Sequence, residues 1–164
     1  MTSTVESTSD LWQKIQHIRV GMLTTLAEGN TLLSRPMTSQ NVDKEGLLWF
    51  FTSDQATVAE DILRQPTVNV SFTAPDDSLY VSVSGHAEVI KDRTVIRDMW
   101  NPMVGAWFPG GPDDPHVALL KVKVSGAEYW DSDKSKMMQL FAMAKAAMTG
   151  EPPTAIGEHK KVNL

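Results

Sequence analysis

The chain of 164 residues contains no cysteine, which excludes a disulfide framework, a thiolate nucleophile and a cysteine-ligated metal site. Basic residues are scarcer than acidic ones, 15 against 20, so a net charge of -5 lacks the positive footprint of a protein that binds duplex nucleic acid. No run of about 18 apolar residues occurs, and the start "MTSTVESTSD" is too polar for a signal peptide. We therefore expect a cytoplasmic protein that binds neither nucleic acid nor membrane.

The signatures of several enzyme classes are also missing. The sequence has no GxSxG nucleophile elbow, no GxGxxG dinucleotide turn, no GxxxxGKS/T phosphate loop and no HExxH zinc motif. Its four histidines are scattered rather than spaced as metal ligands. We expect no metal site, and the residues alone identify no catalytic group.

Hydrophobic residues make up 41% of the chain and charged residues 21%, which is typical of a globular protein with a core. The length suits one domain. We place this domain over residues 11–148, after a loose N-terminal tail of residues 1–10 and before an extended C-terminal tail of residues 149–164.

Most of the domain shows the alternation of antiparallel strands. Strands are predicted over residues 19–26, 31–38, 67–74 and 78–90, with one long or two short strands over 116–131. The apolar run "LLWFFT" predicts a central strand that is buried on both faces. Helical spacing predicts short helices over 10–18, 53–65, 91–100 and 132–148, the second capped by Ser53 or Asp54. The fold class is mainly β, a barrel or sandwich with peripheral helices.

The stretch "TLLSRPMTSQ" places Arg35 on the same strand face as Leu33 and Met37. An arginine in that position must reach solvent, pair with a carboxylate or meet an anionic ligand. Pro36 cannot donate a hydrogen bond to a neighbouring strand, which indicates an unpaired edge or a bulge with room for something else. The residues leave these alternatives open.

A second candidate site lies where the central strand meets the following helix. Thr52 and Ser53 stand beside the predicted helix N-terminus, where free N–H groups favour a phosphate, although ordinary capping explains them equally well. If the strand that carries Arg35 lies beside the central strand, Arg35 could contact the same anion.

Trp107 could stack on a planar ligand or simply pack against other apolar residues. The stripe Met137, Phe141, Ala144 and Met148 predicts core or dimer packing.

Seven stretches together resemble a known family. They are "LLSRPM", "LLWFFTSDQATVAEDIL", "VNVSF", "YVSVSGHAEVIKD", "MWNPMVGAWFPGGPDDP", "ALLKV" and "AEYWDS". In this order, from about Leu11 to about Leu140, the chain resembles the general stress protein subgroup of the pyridoxamine 5'-phosphate oxidase-like flavoproteins. The blocks "AWFPGGPDDP" and "AEYWDS" are typical of the subgroup rather than of the whole superfamily.

The resemblance implies an antiparallel, Greek-key-like split β-barrel that forms a homodimer and binds FMN in clefts at the subunit interface. It assigns Arg35 to the FMN phosphate and the following residues to the flavin ring, and it places Trp107 near the cleft. The cofactor-binding residues that it implies are Arg35, Pro36, Met37, Thr38, Phe51, Thr52, Ser53, Thr57 and Trp107. No catalytic residue follows from it.

The chain also departs from the family pattern. Relatives place a phosphate-binding lysine where this chain has Val58, and true pyridoxamine phosphate oxidases carry a basic residue where it has Gln40. The resemblance therefore implies a flavin-binding protein, with redox chemistry on a small-molecule substrate that the sequence does not name, and speaks against pyridoxamine phosphate oxidation. The alternatives are a dimeric, non-enzymatic stress-response module with weak or no flavin binding, or a cleft that holds haem or a deazaflavin.

Overall fold

A closed antiparallel barrel forms the centre of the molecule. The computed structural model describes residues 10–42, 46–131, 136–152 and 158–164. Its strands follow the order β3-β2-β1-β4-β5-β6-β7, and β3 also pairs with β6, which closes the first six into a barrel. The predicted mainly β barrel is thus confirmed. The strands are β1 (Val20–Leu26), β2 (Leu32–Val42), β3 (Leu47–Ser53), β4 (Thr67–Ala74), β5 (Leu79–Ile90), β6 (Val117–Asp131) and β7 (Glu158–Asn163).

The described part of the chain has five α-helices: α1 (residues 10–15), α2 (Thr57–Arg64), α3 (Arg93–Met99), α4 (Pro102–Trp107) and α5 (Lys136–Thr149). Asp92 caps α3 and Asn101 caps α4, each by accepting two backbone hydrogen bonds. Helix α3 ends at Met99, one residue before the predicted end at position 100, and Pro102 occupies the first position of α4. Among these described helices, none is long and apolar enough to cross a membrane.

Alternating burial along the strands builds two apolar clusters. Leu23, Phe50, Val70 and Val83 point into the barrel, where α1 adds Leu11 and other buried side chains. A second cluster lies outside β3 and β6, where α3 packs through Ile96. The run "LLWFFT" therefore alternates: its inward residues are fully buried, and its outward residues are half-buried under the helices. The predicted burial on both faces is therefore complete on the inward face only.

The barrel has one weak seam, between β2 and β3. Strand β3 pairs with β6 along its whole length, from Leu47 to Ser53. It pairs with β2 only at Ser39 and Val42, with a register shift between them. No ladder to β3 therefore exists beside Pro36, which agrees with the gap predicted from this proline.

The C-terminal segment is part of the sheet. Strand β7 pairs with the second half of β6, and its Val162 is buried in the barrel cluster. The predicted tail is extended at residues 158–163, but it is a paired strand rather than a loose end. Its pattern "EHKKVN" carries one apolar residue, which is too little to predict a strand. The proposed tail of residues 1–10 lies outside the described residues except for its last position.

We predict that Val162→Ala lowers the free energy of unfolding by about 2 kcal/mol, because it removes buried methyl groups and leaves a cavity. Leu164→Ala removes apolar atoms from the same segment at a half-exposed side chain and should cost well under about 1 kcal/mol. Urea unfolding measures both variants. Equal costs would show that β7 does not contribute to the core.

Candidate functional site

A cleft of about 410 Å³ lies on the outer face of β2 and β3, under α4. Residues that alternate outward on the two strands form its floor, among them Thr38 and Phe51. The seam beside Pro36 opens into it. Helix α4 supplies the opposite wall, fixed in place by the Asn101 cap at its start.

The cleft brings together most of the residues that the resemblance assigned to a flavin site. Its lining includes Pro36, Met37, Thr38, Phe51, Thr52, Ser53 and Trp107. Arg35 and Thr57 are not part of the lining. Trp107 stands at the mouth with 81% of its surface exposed, so it does not pack into the core of this chain. The assignment of these residues to a cofactor stays a prediction.

Arg35 points away from the cleft, which corrects its expected orientation. Its Nη1 donates to the Thr25 hydroxyl at 2.6 Å, and its Nη2 lies 3.4 Å from Oδ2 of Asp61. The reason is the β pleat: Arg35 pairs with Leu23, whose side chain points into the barrel, whereas Pro36 and Thr38 point outward. Of the three alternatives that the sequence left open, the structure shows the second: Arg35 pairs with a carboxylate, that of Asp61.

Asp61 is the centre of this polar cluster. Its side chain is only 4% exposed, and it accepts hydrogen bonds from Thr25 at 2.8 Å and from Arg64 at 3.0 Å as well as the contact with Arg35. A buried carboxylate is tolerated only when it is paired and hydrogen-bonded, as here. The cluster therefore ties β1 and β2 to α2.

The N-terminus of α2 carries no side-chain cap. Its N-cap is Ala56, so the predicted cap by Ser53 or Asp54 is wrong. Ser53 still belongs to β3, where its hydroxyl accepts from the Gln55 N–H at 3.2 Å. Thr57 is the exposed first residue of the helix. Val58, the position of the lysine in relatives, is 5% exposed and packs in the barrel cluster.

Asp54 does not cap the helix, because its carboxylate is hydrogen-bonded to Lys91 and His116. Lys91 donates to one of its oxygens, and Nδ1 of His116 lies 3.1 Å from the other. The Lys91 hydrogen bond lowers the pKa of Asp54, and this effect together with that of His116 outweighs desolvation. The carboxylate therefore stays ionised at neutral pH and holds the start of α2 beside β5 and β6.

The sequence missed the polar end of the cleft. Arg19, Gln40 and Asn101 lie there, with Met103, Val104 and Phe108 on the α4 side. Gln40 and Asn101 are hydrogen-bonded at 2.9 Å although they are 61 positions apart. An Asn-Pro step at a helix start signals a cap, but nothing local indicates that the cap faces a cleft.

Among the described residues, no group of histidine and acidic side chains could hold a metal ion.

The model of the pyridoxamine 5'-phosphate oxidase-like family matches residues 6–154 of the chain. Protein bli-3 of Neurospora crassa is 31% identical over 156 residues, which cover 89% of this chain and 75% of that protein.

Two solved structures extend the comparison. A protein described as general stress protein 26 from Jannaschia sp. CCS1 superimposes with a TM-score of 0.75 at 29% identity, covering 97% of this chain and 99% of the other. The general stress FMN/FAD binding protein of Xanthomonas citri gives a TM-score of 0.69 at 30% identity, covering 79% and 92%. The similarity to general stress proteins thus extends from sequence to fold.

We predict that Arg35→Gln lowers the free energy of unfolding by about 1–3 kcal/mol, because the buried Asp61 loses a charged donor. Asp61→Asn should also destabilise. The double variant should lose less than the two single losses combined, with a coupling of about 0.5–3 kcal/mol, since both remove the same pair. Lys123→Gln, at an exposed position on β6, is the control. If denaturant unfolding shows that the two single losses simply add in the double variant, Arg35 and Asp61 do not stabilise the fold as a pair.

Proposed function

Because this chain belongs to the pyridoxamine 5'-phosphate oxidase-like family, we propose that its cleft binds FMN. The observation that carries this proposal is the cleft itself, a cavity of about 410 Å³ that runs along an apolar strand face and includes Ser53, the last residue of β3 before the uncapped helix α2. Its volume falls within the range of roughly 300–1,000 Å³ that small-molecule sites occupy. The FMN/FAD-binding name of the Xanthomonas citri relative supports this choice of ligand.

The apolar part of the cleft suits a flavin ring. Pro36 and Met37 on β2 and Phe51 on β3 provide a wall of low polarity at the seam where strand pairing is missing. A planar ring in this gap can contact backbone groups that no neighbouring strand occupies. Trp107, exposed at the mouth, offers an aromatic face for stacking.

The α2 end of the cleft suits the phosphate. The backbone N–H groups of Thr57 and Val58 have no hydrogen-bond partner among the described residues, and Ser53 lines the adjoining cleft. Such free donors at a helix N-terminus favour a phosphate. Arg35 is paired with Asp61 of the same helix, so it helps to hold the helix N-terminus in place. With Val58 buried, these groups stand in for the lysine of the relatives.

When bound, FMN would supply hydride or electron transfer, while the protein supplies position and exclusion of water. The described cleft lining contains no histidine, lysine, tyrosine or acidic side chain. The chain's own contribution is therefore binding and orientation, and no side chain there is assigned a proton-transfer role. Turnover of the bound flavin with a reductant distinguishes an oxidoreductase from a module that only binds.

We predict that Ser53→Asp weakens FMN binding by about tenfold or more, because it sets a negative charge beside the phosphate. Riboflavin lacks the phosphate and should lose much less affinity. Aspartate can accept the Gln55 N–H as serine does, so the local turn is retained. Fluorescence titration of the purified, flavin-depleted protein measures both ligands.

Ser53→Asn is the matched control, since it has nearly the same shape as Ser53→Asp without the charge. FMN affinity should stay within a few-fold of the unaltered protein. If the wild-type chain binds neither FMN nor riboflavin, the proposed function is wrong. If Ser53→Asp affects both ligands equally, the phosphate lies elsewhere.

We further propose that a second copy of the chain covers the open side of the cleft. The register of β1 places Val20 opposite Thr38 and Met22 opposite Pro36, both of which line the cleft. Val20 is 51% exposed and Met22 42%, so an apolar surface continues from the cleft across β1. Burial of this surface against a second copy would stabilise a homodimer and shield the ligand.

The expected result is that Met22→Glu dissociates the dimer at micromolar concentration and weakens FMN binding together with it. Leu63→Glu is the control, because Leu63 is an exposed apolar residue on α2 outside the cleft lining, 74% accessible. Sedimentation velocity gives the mass of each variant. A monomeric wild-type protein that still binds FMN would refute the shared cleft.

A further inference from the structure

The cleft has a second polar end, opposite the start of α2. Ser53 marks the α2 end, whereas Arg19 and Gln40 lie beyond Thr38 toward the other end of β2. Pro36 and Gln40 are four positions apart, which corresponds to about 13 Å along a strand at about 3.3 Å per residue. One phosphate cannot occupy both ends.

Arg19 contributes the only charged side chain to the cleft lining within the described chain. Its Nη2 lies 3.1 Å from the sulfur of Met103, a weak acceptor, and within the described residues it forms no ion pair. Most of its five N–H donors therefore remain available. A guanidinium in this state is suited to a carboxylate or phosphate, which it can bind with two parallel hydrogen bonds.

The surroundings of Arg19 are held in place. Asn101 accepts from the N–H groups of Met103 and Val104, and its own amide donates to Gln40 at 2.9 Å. The backbone carbonyl of Arg19 accepts from the Ser39 N–H at 2.8 Å. These bonds fix the start of α4, the end of β2 and the entry to β1 around one polar corner. No carboxylate in the lining neutralises it.

We propose that this corner, Arg19 with Gln40 and Asn101, is a subsite for an anionic group of the substrate, a carboxylate or a phosphate. The inference rests on the proposed function, because a phosphate at the α2 end directs the flavin ring toward Arg19. The subsite then lies next to the ring, where a substrate must bind in order to react. It selects anions although the whole chain carries a net charge of -5.

The test compares benzoate with benzamide, which have the same planar shape but differ in charge. Each is titrated into the wild-type protein and Arg19→Gln, with and without saturating FMN, by calorimetry and by the perturbation of flavin absorbance. Arg19→Gln should weaken benzoate binding about tenfold or more, since a charge-assisted pair is lost. Benzamide should change by less than about twofold. Arg19→Lys keeps the positive charge but cannot form two parallel hydrogen bonds. Its benzoate affinity should lie between those of the wild type and Arg19→Gln.

Lys123→Gln is the matched control, because it removes one exposed cation outside the cleft and should leave benzoate affinity unchanged. Equal benzoate affinity in the wild type and Arg19→Gln overturns the subsite. A loss of FMN affinity that exceeds the loss for riboflavin in Arg19→Gln also overturns it, since Arg19 would then hold the cofactor's phosphate. If FMN fails to bind while benzoate still depends on Arg19, the subsite stands and the proposed function falls.

Discussion

The pairing of β3 with β6 is the constraint on which the rest of the structure depends. It closes the barrel along seven residue pairs and leaves no free edge on that side of β3. On its other side β3 meets β2 at only two positions, so the barrel stays split beside Pro36. Because closure is achieved through β6, the seam can remain open without loss of the core. The cleft is the consequence of this unequal pairing.

The buried Asp61 cluster couples the barrel to α2, the helix that follows the cleft residue Ser53. Its three donors come from β1, β2 and α2 itself, so the helix is held against the barrel by hydrogen bonds as well as by packing. Such a cluster adds little net stability compared with an apolar replacement, but the loss of one partner is costly. Its contribution is orientation, since it sets where the uncapped N-terminus of α2 points relative to β3.

The two ends of the cleft differ in the way that they present positive charge. Near Ser53 the positive charge would be partial and would come from backbone N–H groups at the start of α2, whereas at the opposite corner it is the full charge of Arg19. Between the two ends the wall is apolar. This arrangement suits two ligands bound side by side, with an anionic group at each end of the cleft and a planar, weakly polar part between. FMN together with an anionic substrate would have this distribution of charge.

The sequence by itself determined strands β1 to β6 and the mainly β class, because alternation is a local property of the chain. Most of the cleft residues were indicated by the resemblance to the family, not by alternation, and the cap of α2 was predicted wrongly. Arg35 was found by its pattern, but its direction depends on the register of β1 against β2 and on Asp61, 26 positions away. The same holds for Val58, whose burial depends on how α2 packs on the barrel. Strand β7 and the Arg19 corner arise only when distant segments meet, since pairing with β6 supplies the hydrogen bonds and core contacts that "EHKKVN" lacks alone. Tertiary structure decided these features because each is defined by a partner that the local sequence does not contain.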